Sequence, residues 1–250
     1  MNFARARLIS FVLYSLFPNF TNFSEVSKMS GYETALSRAG ARGVEINSVL
    51  KNTYMLLAMT LLFSATMAGA AMALRMPPLN LIVTLVGWFG LLFLTTKFRN
   101  SPLGLVFVFA FTGFMGFTVG PIVNIYMSAL PNGGEVVMTA LGGTGLIFIG
   151  LSAYALVTRK DFSFIGGMLM TGILVAFIAG LAAVIFSLPA LSLAVSAMFV
   201  LLMSGLILYQ TGEIVHGGET NYIMATITLY ITIYNLFMSL LHIFGLFSDD

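Results

Sequence analysis

The sequence predicts an all-α, polytopic membrane protein with seven transmembrane helices, the last of them central in the bundle. Three observations carry that expectation. The 250 residues are 59% hydrophobic and only 8% charged, with a mean hydropathy of +1.00, far from soluble averages. Nearly all charges sit in the N-terminal region or beside breaks between apolar runs. The final run, from Glu219 to Leu246, carries no Asp, Glu, Lys or Arg between Asn221 and Phe247, and it is long enough to span. At 100° per residue, Thr228, Thr232, Asn235, Ser239 and His242 form one polar stripe along it, opposite Tyr230, Tyr234, Phe237, Leu241 and Phe244. Unpaired hydroxyls and amides in hydrocarbon cost several kcal/mol, roughly, so the stripe should face other helices. That makes this segment an inner helix, its stripe either interhelical glue or the wall of a polar pathway.

Taken in order, residues 1–28 form an extension in which Arg5 and Arg7 precede a short apolar run, LISFVLYSLFPNF, too short to span comfortably. It has the outline of a signal sequence without a clear small-residue cleavage site, and the expected start of the mature chain is Met29. Residues 29–52 are polar and predict a mobile cytoplasmic tail. Residues 53–250 hold the seven runs of the transmembrane domain. Thr53–Leu74 stops at Arg75 and Pro77-Pro78. Leu79–Thr96, with the only Trp, Trp88, ends at Lys97 and Arg99. Leu103–Ala129 carries Gly113, Gly116, Gly120 and Asn124 largely on one face, with Pro121 expected to kink it. Val136–Val157 contains Gly142, Gly143 and Gly150 and ends in a basic loop, TRKD. Phe162–Leu188 has Gly172, Ala176 and Gly180 four residues apart. Ala190 to about Gln210 is the sixth run, and the segment described above is the seventh. Small residues at such spacings let helix backbones approach, so the glycines of runs three to five are expected to be packing surfaces.

The bases set an orientation. With the N-terminus inside, the inner segments hold Arg38, Arg42, Lys51, Lys97, Arg99, Arg159 and Lys160, and the outer segments only Arg75. This is the asymmetry of a chain with a cytoplasmic N-terminus. Seven spans then place Asp249 and Asp250 on the outer side.

Chemistry is scarce. There is no Cys, which excludes thiolate nucleophiles and cysteine metal sites. His216 and His242 flank the last run, about 39 Å apart along a continuous helix, too far to share a metal. Glu213, His216 and Glu219 gather around Gly217-Gly218, which reads as a tight turn. GGTG at Gly142–Gly145 lacks the Lys-Ser/Thr of a phosphate loop. No Ser-His-Asp order, intramembrane acid pair or HExxH appears, so no catalytic residues, cofactor or metal is expected. A net charge of +2 without a basic patch beyond the short loops gives no reason to expect nucleic acid. Seven runs without repeated halves, and spans without acids, argue against a proton-coupled transporter.

HGGETNYI at His216–Ile223 with the following ATITLYITIYNLF, TRKDFSFIGGML at Thr158–Leu169, and FTGFMGFTVGPIVNIY at Phe111–Tyr126 resemble the Bax inhibitor-1 family of membrane proteins. With KNTYMLLAMTLLFSA at Lys51–Ala65, they are most similar to a bacterial branch that modulates the membrane protease FtsH. The resemblance covers roughly residues 49–250. It implies a seven-helix fold with the last helix enclosed by the other six. It also implies a non-enzymatic inner-membrane protein that partners an FtsH-like protease complex in the lipid bilayer and restrains degradation of membrane proteins. The alternative it implies is a calcium leak channel, closed in such members by two acids on the last two helices. Here the matching positions are Gln210 and Thr232, neither of them an acid.

Overall fold

A computed structural model describes the backbone of residues 23–248 and the side chains of residues 46–248. Residues 1–22, which include most of the expected N-terminal extension, lie outside the described residues. The chain divides into two compact units, Met1–Glu45 and Ile46–Asp250. Among the described residues there are seven α-helices: α1 (Phe23–Ala73), α2 (Leu81–Lys97), α3 (Pro102–Ala129), α4 (Gly133–Thr158), α5 (Gly166–Ile185), α6 (Pro189–His216) and α7 (Tyr222–Phe247). A short 3₁₀ turn at Ser163–Ile165 leads into α5.

Among the described residues six segments are long and apolar enough to cross a membrane: residues 46–73 of α1, then α3, α4, α5 with its preceding turn, α6 and α7. Helix α2 is apolar but has 17 residues, about 25 Å of rise against a hydrocarbon core of about 30 Å. The connection before it explains the shortness. Arg75 adopts a left-handed conformation (φ 49°), Pro77 and Pro78 keep the chain out of a helix, and α2 starts only where the Asn80 side chain accepts from the Ile82 N–H. The polar segment from residue 29, expected to be a tail, has helical backbone within α1, and Val49 and Thr53 are already buried in the core of the second unit.

Other boundaries follow from local chemistry. Ser101 caps α3 with Pro102 in its first turn, and α3 continues through Pro121 without interruption. Helix α6 runs past the expected Gln210 to His216. Glu213 and His216, expected in a loop, are therefore helical. The helix ends where Gly217 turns left-handed (φ 73°) and the Gly218 N–H bonds the Glu213 carbonyl at 2.8 Å.

Helix α7 lies at the centre, its extensive packing on α6 and α4 supplemented by α3. It is buried nearly all round, with Ala225, Leu229, Leu236 and Leu241 fully enclosed. Helix α5 packs chiefly against α6, so it forms an outer layer. The glycine expectation holds for runs three and five and, in run four, for Gly143, which meets Leu240 of α7. On α3, an added Cβ at Gly116 or Gly120 collides with the α1 backbone at Ser64 or Ala68, so these glycines let α1 and α3 touch backbone to backbone. On α5, Gly172 and Gly180 meet Leu202 and Val195 of α6. On α4 the expectation fails for Gly142 and Gly150: both are exposed, with open space where a Cβ would stand.

Candidate functional site

Each polar residue within α7 either bonds its own helix or needs a partner brought in from elsewhere in the chain. In the predicted stripe, Thr232 and Ser239 are buried, while Thr228, Asn235 and His242 are half-buried. The Thr232 hydroxyl donates to the Thr228 carbonyl at 2.7 Å, and the Asn235 amide donates to the Ile231 carbonyl at 2.8 Å. Such back-bonding one turn earlier satisfies the polar group without a partner helix. At the far end, His242 Nε2 lies 3.4 Å from Ser192 Oγ on α6. Gln210 of α6, the other position expected to match the family acids, is also buried.

The stronger cross-helix network lies on the aromatic side. Tyr230, 1% exposed, donates its hydroxyl to the Thr112 carbonyl of α3 at 3.1 Å. Its single proton is thereby used, so the Ser64 hydroxyl of α1, 2.5 Å from the Tyr230 oxygen, is the donor in that second bond. One phenol thus ties three helices. Tyr230 is edge-on to Phe111 of α3 and stacks beside Tyr234, whose ring meets Trp88 of α2 in a T-shape at 5.5 Å. Ser64 and Thr112 do not belong to the polar stripe and carry no mark in the sequence, and Trp88 stands out there only as the single Trp. The available signal was a tyrosine in an apolar span, whose hydroxyl must find an acceptor.

A second cluster gathers at one end of the bundle, where three connections meet. The Asn221 side-chain carbonyl caps α7 by accepting from the Ile223 and Met224 N–H groups. Its amide donates to the Arg99 carbonyl at 3.1 Å and to the Asn100 side-chain oxygen at 2.8 Å. His216 Nδ1 lies 2.8 Å from the Gly212 carbonyl oxygen and Nε2 lies 3.0 Å from that of Arg159, which adopts a left-handed conformation at the end of α4. The ring therefore bridges the end of α6 to the α4–α5 connection. In that connection the exposed Asp161 carboxylate accepts from the Ser163 N–H at 2.8 Å. That bond holds its carboxyl below the usual range, with a smaller contribution from His216. Glu219 Oε1 accepts at 2.7 Å from the N–H of Asn221, the residue that caps α7. Lys97, Arg99, Arg159 and Lys160 collect at this end. Arg75 and Glu135 lie at the other, where Ser248 after α7 bonds Asn132 before α4.

Residues 46–249 match the family model described as Inhibitor of apoptosis-promoting Bax1. Over 204 residues the chain is 55% identical to the modulator of FtsH protease YccA of Escherichia coli K12, covering 82% of this chain and 92% of that relative. The same identity and coverage are found with a protein of E. coli O6:H1 named inner membrane protein YccA. An uncharacterised protein of Pseudomonas aeruginosa is 53% identical over 222 residues, 89% of this chain and all of the relative.

Proposed function

The chain belongs to the Bax inhibitor-1 family of membrane proteins, and on that premise we propose that it binds an FtsH-like membrane protease and restrains its degradation of other membrane proteins. The observation that carries this reading is the 55% identity to YccA over nearly the whole of that modulator. On this reading the protein is no enzyme, works without a cofactor and resides in the inner membrane, with its N-terminus cytoplasmic and its C-terminus periplasmic. The gathering of Lys97, Arg99, Arg159 and Lys160 at one end supports that orientation. The same end carries the ties of Asn221 and His216, so the surface offered to the cytoplasmic side is a braced one. Residues 29–52 serve as the handle by which an ATP-driven protease engages the protein. Gln210 and Thr232 stand where channel members carry their closing acids, which favours the modulator reading over a calcium leak.

The test is the half-life of a membrane-embedded FtsH substrate in cells with and without this chain at native expression, together with recovery of the protease from detergent-solubilised membranes. A longer substrate half-life and co-purification are expected. An unchanged half-life with no protease recovered overturns the proposal.

A further inference from the structure

Between α1 and α4 the bundle holds a cavity of about 350 Å³, within the size range of small-molecule sites. Helices α3 and α7 form its back wall, and it opens sideways, where Ala65, Gly69 and Leu141 are exposed at its rim. The small residues Ala65, Ala68 and Gly69 on α1 leave the space, because nothing stands within 4 Å of where a Gly69 Cβ would be.

Shape and chemistry select the occupant. On α1 the lining runs from Leu61 to Met72, about 16 Å along the helix axis, close to half of a hydrocarbon core of about 30 Å. The slot therefore has the length and direction of one leaflet's acyl chains. Spread over about 16 Å, the space open to the centre of a water-sized sphere has a cross-section of about 22 Å², which makes the slot about 8 Å wide between its walls. A helix of about 10–12 Å diameter is wider than that. A single file of methylenes fits, and a helix from a second copy or from another protein does not. Water is disfavoured too, because an ordered water needs two to four polar partners, roughly. Of the hydroxyls on its lining residues, those of Ser64 and Tyr230 bond each other and the Thr112 carbonyl and that of Thr144 bonds the Ala140 carbonyl, which leaves at most that of Tyr234. The rim, in turn, lies in the apolar surface of the spans, where the surrounding medium is hydrocarbon.

We propose that this slot is a binding site for one acyl chain of a membrane phospholipid, inserted sideways between α1 and α4 against Tyr230, Tyr234 and Phe237. The site is independent of the protease reading and stands or falls separately.

The full chain is reconstituted in phosphatidylglycerol vesicles containing a phospholipid with a diazirine midway along one acyl chain, irradiated, and its adducts mapped by peptide mass. Adducts are expected on Tyr230, Tyr234 and Phe237, which are buried and beyond the reach of surrounding lipid, as well as on the exposed Leu62 and Phe93. Gly69→Phe, placed in open space, and Leu141→Trp, from the opposite rim, should each lose the buried adducts and keep those on Leu62 and Phe93. The retained adducts report that each variant is folded and inserted. Adducts confined to exposed residues in the unmodified chain, buried adducts unchanged in both variants, or a protein–protein adduct through the slot would each overturn the proposal.

Discussion

The hydroxyl oxygens of Ser64 and Tyr230 lie 2.5 Å apart although 166 residues separate them in the chain. That bond, with the one from Tyr230 to the Thr112 carbonyl, fastens the central helix to α1 and α3 at mid-bundle. Removing the phenol proton acceptor and donor together strands Ser64, whereas removing Ser64 leaves the Tyr230–Thr112 bond intact. Tyr230→Phe is expected to lower stability in detergent by about 1 kcal/mol per lost bond, and Ser64→Ala by less. A double-mutant cycle read from unfolding midpoints should show coupling between the two sites. Strict additivity means that the bond contributes nothing.

Gly116 and Gly142 offer a matched pair. A Cβ at Gly116 runs into the Ser64 carbonyl, which is backbone and has no rotamer to escape into. Gly116→Val should therefore force α1 from α3, at a cost of about 1–3 kcal/mol or more. Gly142→Ala meets open space and should be neutral or stabilising by up to about 1 kcal/mol through helix propensity. Thermal melts of the two variants check both signs. Equal effects would mean that α1 and α3 do not meet at Gly116.

Asp161 gives a pH expectation outside the membrane-spanning segments. Its folded carboxyl titrates below the usual aspartate value because the ionised form accepts from the Ser163 N–H. A depressed folded value means that its contribution is present above the unfolded value of about 3.9 and is lost as pH falls through the folded one. The 3₁₀ turn before α5 should therefore loosen only in acid, and Asp161→Ala, which leaves no acceptor, should loosen it at neutral pH. Amide exchange at Ser163 measures this. Protection that is unchanged in Asp161→Ala discards the cap.

Much of this architecture was legible in the sequence, for reasons tied to particular residues. Charge at Arg75, Lys97, Arg159 and Lys160 marks where runs end, because charges in hydrocarbon are costly. The uninterrupted α7, with Thr232 and Ser239 in an otherwise apolar span, marks an inner helix. What was not legible is tertiary. Thr232 and Asn235 bond their own helix, so the stripe that drew attention has less cross-helix work than Tyr230. Tyr230 gains its meaning only when Ser64 and Thr112 are folded against it. Glycine spacing on α4 looks like that on α3, yet Gly116 and Gly120 of α3 have a helix backbone opposite, whereas Gly142 and Gly150 of α4 have open space. Gly217-Gly218 signalled a turn correctly, but Glu213 and His216 remained helical. His216 is favoured in a last turn, where the helix dipole is negative and the Arg159 carbonyl lies within reach.

The last prediction concerns calcium. Members of this family linked to calcium leak close their pore with one acid on each of the last two helices, and such a pair supplies both a switch and a ligand. Gln210 and Thr232 supply neither, because a carboxamide and a hydroxyl do not titrate. The Thr232 hydroxyl, besides, is donated to its own helix at Thr228. The acids nearest in sequence are Glu213, in the last turn of α6, and Glu219, in the α6–α7 connection, where it holds the Asn221 N–H. A divalent ion entering along the stripe meets only neutral oxygens, a poor exchange for its hydration shell. Calcium flux into proteoliposomes should therefore stay near background, without a steep change between about pH 6 and pH 8, where a buried carboxyl pair would titrate. Gln210→Glu combined with Thr232→Asp restores the two carboxyls and should introduce pH dependence. A steep profile in the unmodified chain would place the switch elsewhere in the molecule and restore the channel reading.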